Sequence, residues 1–405
     1  MMADQRIQCR LAIFIVLLFG GLRANAAAFS TGNVTHVTLF NGTGKCPAGY
    51  NFYNPPIDGP GTITCYSATV SCPNVANADV WFGIANPPKS PPKGTIVLHY
   101  GAGGWPTLNW GLPARYSSAG FQTVQMMWHG PNPSNPTWED PGPWPLTPNL
   151  KATACRPAIF FRYIYDNYAA PKGIAACLQG WSAGASAIAY SLKDYGASQY
   201  VDKAVLMAGP PMADLREGCA VPNYPPVQVW PAGQFGLAYR SPALVSPVWS
   251  SEFDIWADNW TGMPHGTCNG AKNTTPTENS TWKNMSIVDG ISGEGTFYYP
   301  HTALSIWSPG PDSNGGKPSL ISAQAELYAQ QFKSPTQVAG GCTKHMGYYN
   351  YTGACYSVDE VGGVPDMEDV TSGNSVNGVV MSPFNAIVND MTDQTIGGAG
   401  CIKRH

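Results

Sequence analysis

The sequence predicts an α/β fold in which helices flank a mainly parallel central sheet. Two observations support this prediction. Short apolar runs alternate with helical patterns through the middle of the chain, and strands that alternate with helices form parallel sheets buried on both faces. The chain also has 405 residues, of which 43% are hydrophobic and 12% charged, so it can bury a large core.

The part of the chain before this alternation predicts an antiparallel section. It is rich in Gly, Pro, Thr and Asn through about Pro92, and the Pro-rich stretch 87–93 then breaks regular structure. Its β-prone pieces are residues 34–40, 62–71 and 78–85. We expect disulfides among Cys46, Cys65 and Cys72 to hold this section together.

The alternating part begins at residue 95 and resumes after a long irregular stretch. The predicted strands are residues 95–100, 121–128, 173–180, 201–208, 302–307 and 336–339. The predicted helices are residues 157–168, 183–195, 319–332 and 380–391. The irregular stretch, residues 210–297, is rich in Pro, Trp and Asn. Because so long a structureless loop is improbable inside a domain, it predicts an inserted cap or lid over a site.

The N-terminus has the pattern of a secretory signal over residues 1–26. Arg6 and Arg10 precede an apolar run at 11–22, which small residues follow. A membrane anchor is the alternative, but a spanning helix needs about 20 apolar residues, so we expect no stable membrane insertion. The remaining residues, 27–405, then form the secreted, extracellular domain.

Cysteine and asparagine usage agrees with export. Ten cysteines follow the predicted signal, an even number that can pair in an oxidising compartment. Seven Asn-x-Ser/Thr sites predict N-glycans: Asn33, Asn41, Asn259, Asn273, Asn279, Asn284 and Asn350. The net charge of −3, without runs of like charge, argues against a nucleic-acid partner.

The sharpest local motif is Gly180-Trp181-Ser182-Ala183-Gly184, hereafter the serine elbow. It follows a predicted strand and opens a predicted helix. A turn this tight needs small residues two positions before and after the serine, and it presents the hydroxyl at a helix N-terminus. There the free N–H of Ala183 can stabilise an oxyanion, so Ser182 is our candidate nucleophile.

A second motif, Gly101-Ala102-Gly103-Gly104, follows the strand at 95–100 and is called here the glycine turn. Glycines permit a close backbone approach, so an N–H of Gly101, Ala102 or Gly103 could join that of Ala183 in an oxyanion hole. An ordinary flexible turn is the alternative. The sequence leaves open which of the three residues donates.

A serine nucleophile needs a base and an orienting acid. His345 is our candidate base, because it lies just beyond the predicted strand 336–339. His129 and His301 are the alternatives, and His99, inside a strand, is expected to be a buried packing residue. Asp312, which follows the strand 302–307, is the candidate acid, since parallel strands carry ligand-facing groups after their carboxyl ends. The alternative acids are Asp289, Asp359 and Asp366.

The order of glycine turn, serine elbow, late acid and last histidine resembles the α/β-hydrolase superfamily, and the resemblance spans residues 95–345. In that family the acid commonly follows the seventh core strand, the histidine follows the eighth, and a cap is often inserted after the sixth. The resemblance implies a Ser182-His345-Asp312 triad. The turn reads Tyr-Gly-Ala-Gly-Gly where many esterases have His-Gly-Gly-Gly, and no subfamily is identified.

The triad implies a serine esterase that cleaves a small or polymeric carboxylic ester through an acyl-enzyme. It requires no cofactor, and no His/Cys cluster has the spacing of a metal site. Trp105, Trp181 and His129 are the expected substrate-binding residues. A serine peptidase of the same fold and a catalytically silent extracellular binding protein are the alternatives.

Three further disulfides are expected. Cys342 and Cys355 bracket His345, and a bond between them would hold the histidine loop. The other expected pairs are Cys155 with Cys177 and Cys219 with Cys268.

Overall fold

A ten-stranded sheet lies at the centre of the part of the chain that the computed structural model describes. The described residues are 32–48, 52, 63–88, 91–104, 106, 111–129, 138, 150–219, 227–228, 238–239, 257–258, 264, 266–268, 276–288, 297, 299, 301–309, 324–325, 328, 331, 349–351, 354–361, 374–376, 379–381, 383–392 and 400–404. All of them belong to one unit, residues 32–405.

The sheet has the strand order β1-β2-β3-β5-β4-β6-β7-β10-β12-β11. Its strands are β1 (Asn33–Leu39), β2 (Thr64–Cys72), β3 (Val75–Ala85), β4 (Gly94–Tyr100), β5 (Gln122–His129), β6 (Ala175–Trp181), β7 (Lys203–Met207), β10 (Ala303–Pro309), β11 (Tyr349–Tyr351) and β12 (Ala354–Val361). Two small hairpins, β8 (Val227–Gln228) with β9 (Ala238–Tyr239) and β13 (Asn374–Val376) with β14 (Val379–Met381), lie outside it.

The sheet combines an antiparallel section with a parallel centre. Strands β1, β2, β3 and β5 pair antiparallel in that order. The six strands from β5 to β12 are then parallel to one another, and β11 closes the far edge antiparallel to β12. The predicted antiparallel opening and mainly parallel centre are both confirmed.

Helices cover both faces of this sheet. They are α1 (Leu112–Ser118), α2 (Leu150–Thr153), α3 (Cys155–Ile164), α4 (Ala183–Asp194), α5 (Leu215–Cys219), α6 (Pro276–Met285) and α7 (Pro383–Thr392). Every residue of β4 is buried, and its side chains alternate between two apolar clusters, as period-2 geometry requires. Residues of α3 and α4 belong to one cluster, and residues of α1 and α7 to the other. The predicted α/β fold with flanking helices is therefore confirmed.

Helix α4 is the most deeply packed of these elements. Its alanines favour a helix, and all of its residues from 183 to 193 are buried. A helix that is buried on all sides has little freedom to move, because neighbouring side chains fill the space around it. The residue at its start is therefore held by the core.

The far side of the sheet differs from the prediction. Among the described residues β10 pairs with β7 on one side and with β12 on the other, and β12 was not among the predicted strands. Residues 336–339 and most of the predicted helix 319–332 lie outside the described residues. The sequence of β12, Ala-Cys-Tyr-Ser-Val-Asp-Glu-Val, has only moderate apolar character, so its pairing was not visible in the pattern.

The predicted cap falls between β7 and β10. The segment contains α5, α6 and the hairpin β8–β9, and the buried carboxylate of Asp258 accepts from the backbone N–H groups of Gly266 and Cys268. Ser286 Oγ accepts from the N–H of Leu215 at 2.9 Å, which joins α5 to the end of α6. The role of this segment as a lid stays a prediction.

Four disulfides connect described residues. They are Cys46–Cys65, Cys72–Cys155, Cys177–Cys401 and Cys219–Cys268. The expected bond between Cys219 and Cys268 is confirmed. The expected bond between Cys155 and Cys177 is wrong, because Cys155, the first residue of α3, bonds Cys72 at the end of β2, and Cys177 in β6 bonds Cys401. Cys342 lies outside the described residues, so its pairing with Cys355 stays a prediction.

No helix in the described part of the chain has the length and apolar character needed to cross a membrane.

Candidate active site

Ser182 occupies a strained turn between β6 and α4. Its φ of 55° and ψ of −124° lie in a region that side-chain-bearing residues rarely adopt, at a cost of about 1–3 kcal/mol. The N–H of Ser182 donates to the carbonyl oxygen of Met207 at 2.9 Å, and its own carbonyl accepts from Ala185 at 2.8 Å. These bonds hold the strained backbone, and the hydroxyl is carried at the carboxyl edge of the parallel strands.

The two glycines of the serine elbow are required by close contacts. A Cβ added at Gly180 would lie 2.5 Å from the carbonyl oxygen of Gly184, and one added at Gly184 would lie 2.0 Å from that of His99. Both distances are far below a van der Waals contact with backbone atoms that cannot move aside. The predicted reason for the small residues is therefore confirmed, and the first turn of α4 rests directly on β4.

The glycine turn, residues 101–104, is tied to its surroundings by backbone hydrogen bonds. The N–H of Gly101 donates to the carbonyl of Trp181, the residue before Ser182, at 2.9 Å. The N–H of Trp128 donates to the Gly103 carbonyl at 2.7 Å, and that of Trp138 to the Ala102 carbonyl at 3.3 Å. Positive φ at Gly101 and Gly104 makes this path possible. The turn is thus a fixed platform beside Ser182.

These hydrogen bonds reduce the number of backbone N–H groups that are candidates for binding an oxyanion. The N–H of Gly101 is engaged by Trp181, so it is not directed at a substrate. Those of Ala102 and Gly103 have no acceptor among the described residues, and the N–H of Ala183 belongs to the first turn of α4, where helical partners are absent. Ala183 with Ala102 or Gly103 is the donor set that this geometry favours.

His99 is buried beneath the elbow and is not available as a base. Its Nε2 accepts from the indole N–H of Trp128 at 2.8 Å, and its ring is fully buried. Burial lowers the pKa of His99 to about 3, against the opposing effect of the backbone at His99 and Gly101. The expectation of a buried packing histidine is confirmed, with an added hydrogen bond that the sequence did not indicate.

The alternative histidines lie at two different edges of the sheet. His129 ends β5 at the same edge as Ser182 and stacks on Trp81, with ring centroids 3.6 Å apart. Burial lowers its pKa, and the charge of Asp79 acts in the opposite direction. His301 is exposed and precedes β10, so it lies at the amino edge of the parallel strands, away from the elbow.

Asp312 and His345 lie outside the described residues, and so does Trp105. The strand ends near them are described. Trp181, Met207 and Trp307 pair across β6, β7 and β10 in one row, and Asp312 follows that row by five residues. His345 belongs to the connection between β10 and β12, and so precedes the strand that pairs with β10.

Of the other candidate residues, some lie within the described residues and some lie outside them. Of the alternative acids, Asp289 and Asp366 are outside the described residues, whereas Asp359 lies in β12 opposite Trp307. Trp181 is half-buried at the end of β6. In the described ranges no three His, Cys, Asp or Glu side chains cluster as metal ligands would.

The contribution of Trp128 was not recognised from the sequence. It holds the glycine turn through its backbone N–H and His99 through its indole N–H. Both contacts depend on β5 lying beside β4. The available signal was a tryptophan at the end of a predicted strand, which does not specify a partner.

No protein-family model matches the chain, and no curated protein matches it in sequence. Similar solved structures include an esterase from Pyrobaculum calidifontis at 11% identity, covering 70% of this chain and 72% of that chain with a TM-score of 0.38. Acetyl xylan esterase 1 from Thermoanaerobacterium sp. is 10% identical, with coverages of 91% and 88% and a TM-score of 0.44. A fungal esterase from Rhizomucor miehei is 15% identical, with coverages of 85% and 84% and a TM-score of 0.41.

Proposed function

We propose that this chain, an α/β-hydrolase by fold, is a secreted serine esterase whose nucleophile is Ser182. The observation that carries the proposal is the strained backbone of Ser182 at the strand-to-helix elbow. Strain of this kind persists where the surrounding structure holds it and where it presents a reactive group. The glycine turn fixed beside it supplies N–H groups that neutralise a developing oxyanion.

In the proposed reaction, Ser182 Oγ attacks the ester carbonyl carbon while its proton passes to His345. The N–H of Ala183 and that of Ala102 or Gly103 bind the oxyanion. The ester C–O bond then breaks, and the alcohol leaves with the proton from His345. Water attacks the acyl-enzyme in the same way, which releases the carboxylic acid and restores Ser182. Asp312 orients the imidazole and stabilises its charged form.

Strand geometry supports the choice of acid. The row formed by Trp181, Met207 and Trp307 brings the ends of β6, β7 and β10 to one edge of the sheet. Ser182 follows the first of these strands and Asp312 the third. A carboxylate five residues beyond Trp307 has enough chain to reach the space beside the elbow, since each extended residue spans about 3.3 Å.

The choice of His345 rests on its surroundings in the sequence. Cys342 and Cys355 remain after the four disulfides among the other mature cysteines, which favours a bond between them. Such a bond would attach the loop of His345 to β12, a direct neighbour of β10. Strand β11 begins four residues after His345 and runs antiparallel to β12, so its first residue, Tyr349, lies nearer the edge that carries Ser182 than its last residue, Tyr351.

Secretion and substrate contact have separate support. Four disulfides are compatible with an oxidising compartment. The sequon residues Asn33, Asn41 and Asn284 are exposed and so accessible to glycosylation. Trp181 and His129, both half-buried at the carboxyl edge of the parallel strands, offer flat surfaces for an acyl or alcohol group, as does Trp105 in the sequence next to the glycine turn.

The test is labelling of the full secreted protein with a fluorophosphonate, together with turnover of short- and long-chain p-nitrophenyl esters. Ser182→Ala should abolish labelling and lower kcat by at least about 10⁴-fold, because the nucleophile is lost. Ser191→Ala is the matched control, since Ser191 lies in the same helix with its hydroxyl bonded to the Ala187 carbonyl.

The remaining triad members are tested by the same assay. His345→Ala and Asp312→Asn should each reduce kcat by about 10³-fold or more, whereas His301→Ala should not. Peptide p-nitroanilides in parallel identify a peptidase by faster turnover than the esters. A folded wild-type protein that takes no label and cleaves neither class would refute the proposal in favour of a binding function.

A further inference from the structure

Trp128 contacts both halves of the candidate site. Its backbone N–H donates to the carbonyl of Gly103, inside the glycine turn, at 2.7 Å. Its indole N–H donates to Nε2 of His99 at 2.8 Å. The side chain is fully buried, so neither hydrogen bond competes with water. One residue of β5 therefore fixes a point on the glycine turn and a point on β4.

The point on β4, His99, lies directly beneath the first turn of α4. A Cβ added at Gly184 would lie 2.0 Å from the carbonyl oxygen of His99 and 2.7 Å from its Nδ1. The helix that begins at the nucleophile thus rests on the backbone and ring of His99. Any displacement of that ring changes the height of the helix start above the sheet.

The protonation state of His99 is fixed by its surroundings. Nε2 accepts a hydrogen bond and so carries no proton, which places the proton of the neutral ring on Nδ1. Nδ1 makes no hydrogen bond of normal geometry within the described ranges, and the backbone of His99 and of Gly101 opposes the lowering of the ring's pKa. The groups that face the ring are Trp128 and Phe161, which are both uncharged, and the elbow backbone. The pair is a neutral, buried unit.

We propose that His99 and Trp128 are positioning residues whose hydrogen bond sets the distance between the glycine turn and the start of α4. This inference rests on the proposed esterase function, in which N–H groups from these two segments bind the same oxyanion. The donors come from different strands, so their separation must be held by something that contacts both. The Gly101–Trp181 hydrogen bond joins the two segments directly, and the His99–Trp128 pair adds a second contact that supports both.

The kinetic test replaces the donor or the acceptor of this bond. Trp128→Phe removes the indole N–H, and His99→Leu removes the acceptor. Each should lower kcat and kcat/KM alike by about 10- to 100-fold with KM within about twofold, because misplaced donors lose binding in the transition state alone. His99→Gln, which can still accept from Trp128, should keep kcat within about fivefold of the wild type.

The matched control is Trp282→Phe in α6. Trp282 is also fully buried, but its indole N–H has no acceptor in the described part of the chain. It therefore reports the effect of removing a buried indole without breaking a hydrogen bond. Equal kcat in Trp128→Phe and Trp282→Phe, or a change confined to KM, would overturn the inference.

Hydrogen exchange followed by mass spectrometry tests whether the His99–Trp128 hydrogen bond is coupled to the stability of the glycine turn. This measurement does not depend on activity. The N–H groups of Tyr100 and Gly101 are bonded to Gly104 and Trp181, so they report the stability of the glycine turn. Trp128→Phe should speed their exchange at least about tenfold, and Trp282→Phe should leave it unchanged. Unchanged exchange in Trp128→Phe overturns the coupling. A wild type that takes no fluorophosphonate refutes the esterase, while exchange still decides the coupling.

Discussion

At Ser182 the backbone adopts a strained conformation. A φ of 55° with ψ of −124° costs a residue with a Cβ about 1–3 kcal/mol, and glycine adopts positive φ without that cost. The alanine variant loses the hydroxyl but keeps the Cβ. The two smallest replacements for this residue, alanine and glycine, should therefore differ in stability although both lack the hydroxyl.

We expect Ser182→Gly to be more stable than Ser182→Ala by about 1 kcal/mol, since relief of strain exceeds the greater entropy of an unfolded glycine. Urea unfolding at pH 7 measures the difference. The paired substitutions at Ser191, a regular position of α4, provide the control, because there glycine should be the less stable by about 1 kcal/mol. A glycine variant at position 182 no more stable than the alanine variant would contradict this account.

His99 predicts how stability depends on pH. Its pKa falls to about 3 in the folded protein through burial, below the value near 6.5 of an exposed histidine. The unfolded chain therefore binds a proton between these values and the folded chain does not. The stabilising contribution is complete above pH 6.5 and is lost as pH falls from 6.5 toward 3.

The free energy of unfolding should fall by about 1.4 kcal/mol for each pH unit between pH 6.5 and pH 3. Between pH 7 and pH 5 the stability of the wild type should fall relative to His99→Gln by about 2 kcal/mol. Urea unfolding at the two pH values measures it, with His301→Gln as the control because His301 is exposed. A constant difference between wild type and His99→Gln would show that the fold does not lower the pKa of His99.

At the scale of single residues, the sequence predicted the backbone geometry correctly where the motif consists of consecutive residues. Ser182 and the glycines on either side occupy consecutive positions, and their geometry follows from one turn. The bond between Gly101 and Trp181 joins residues 80 positions apart and depends on strand neighbours, so the engaged N–H of Gly101 could not be foreseen. The same holds for the pair His99 and Trp128, which become neighbours only because β5 lies beside β4.

Among the elements, α7 is fixed to the sheet by a buried ion pair. Lys203 Nζ, in β7, lies 2.7 Å from Asp390 Oδ1 in α7, and both side chains are at most 3% exposed. Ser305 of β10 accepts a further bond from Lys203 at 2.5 Å. Because the two charges are buried and paired with each other, removal of either side chain leaves the other charge buried and uncompensated.

We expect Lys203→Met or Asp390→Leu alone to destabilise the protein by about 3–5 kcal/mol. The double variant Lys203→Met/Asp390→Leu should lose less than either single variant, since it leaves no buried charge. Denaturant unfolding of all four proteins completes the cycle. The half-exposed pair Arg162 and Asp166 is the control, for which we expect a coupling below about 1 kcal/mol. Additive losses at Lys203 and Asp390 would argue against their direct interaction.

The strands at the centre of the sheet were predicted correctly, β12 at its far side was not recognised, and the predicted strand 336–339 lies outside the described residues. The strands β4, β6 and β7 are short, apolar and buried on both faces, which is the pattern that indicates a parallel strand. In β12 the residues Asp359 and Glu360 interrupt that pattern. The strand is defined by its pairing with β10 and β11, which local sequence does not encode.

At the scale of the whole molecule, the disulfides join segments that are distant in the sequence. Cys72 bonds Cys155 across 83 residues, and Cys177 bonds Cys401 across 224. The sequence correctly indicated Cys219 with Cys268, a separation of 49. Longer separations were not predictable, because the number of possible pairings among ten cysteines is large and spacing favours near neighbours.

Peptide mapping of the secreted protein under non-reducing conditions should recover five bonds. Four are those between described residues, and the fifth should join Cys342 to Cys355 as the remaining pair. The mapping is repeated after reduction and alkylation, which must remove every cross-linked peptide. Recovery of Cys155 linked to Cys177, or of a free thiol at Cys342, would contradict this pattern.

The bond between Cys177 and Cys401 also sets an order of events during synthesis. Cys177 lies in β6, the strand that leads to Ser182, and its partner is synthesised 224 residues later. At about 5–20 residues per second, the thiol of Cys177 waits at least about ten seconds for its partner, while earlier cysteines have already met theirs. During that interval Cys177 either stays a free thiol or forms a transient bond that must later be exchanged, so this disulfide can form only after nearly the whole chain has been made.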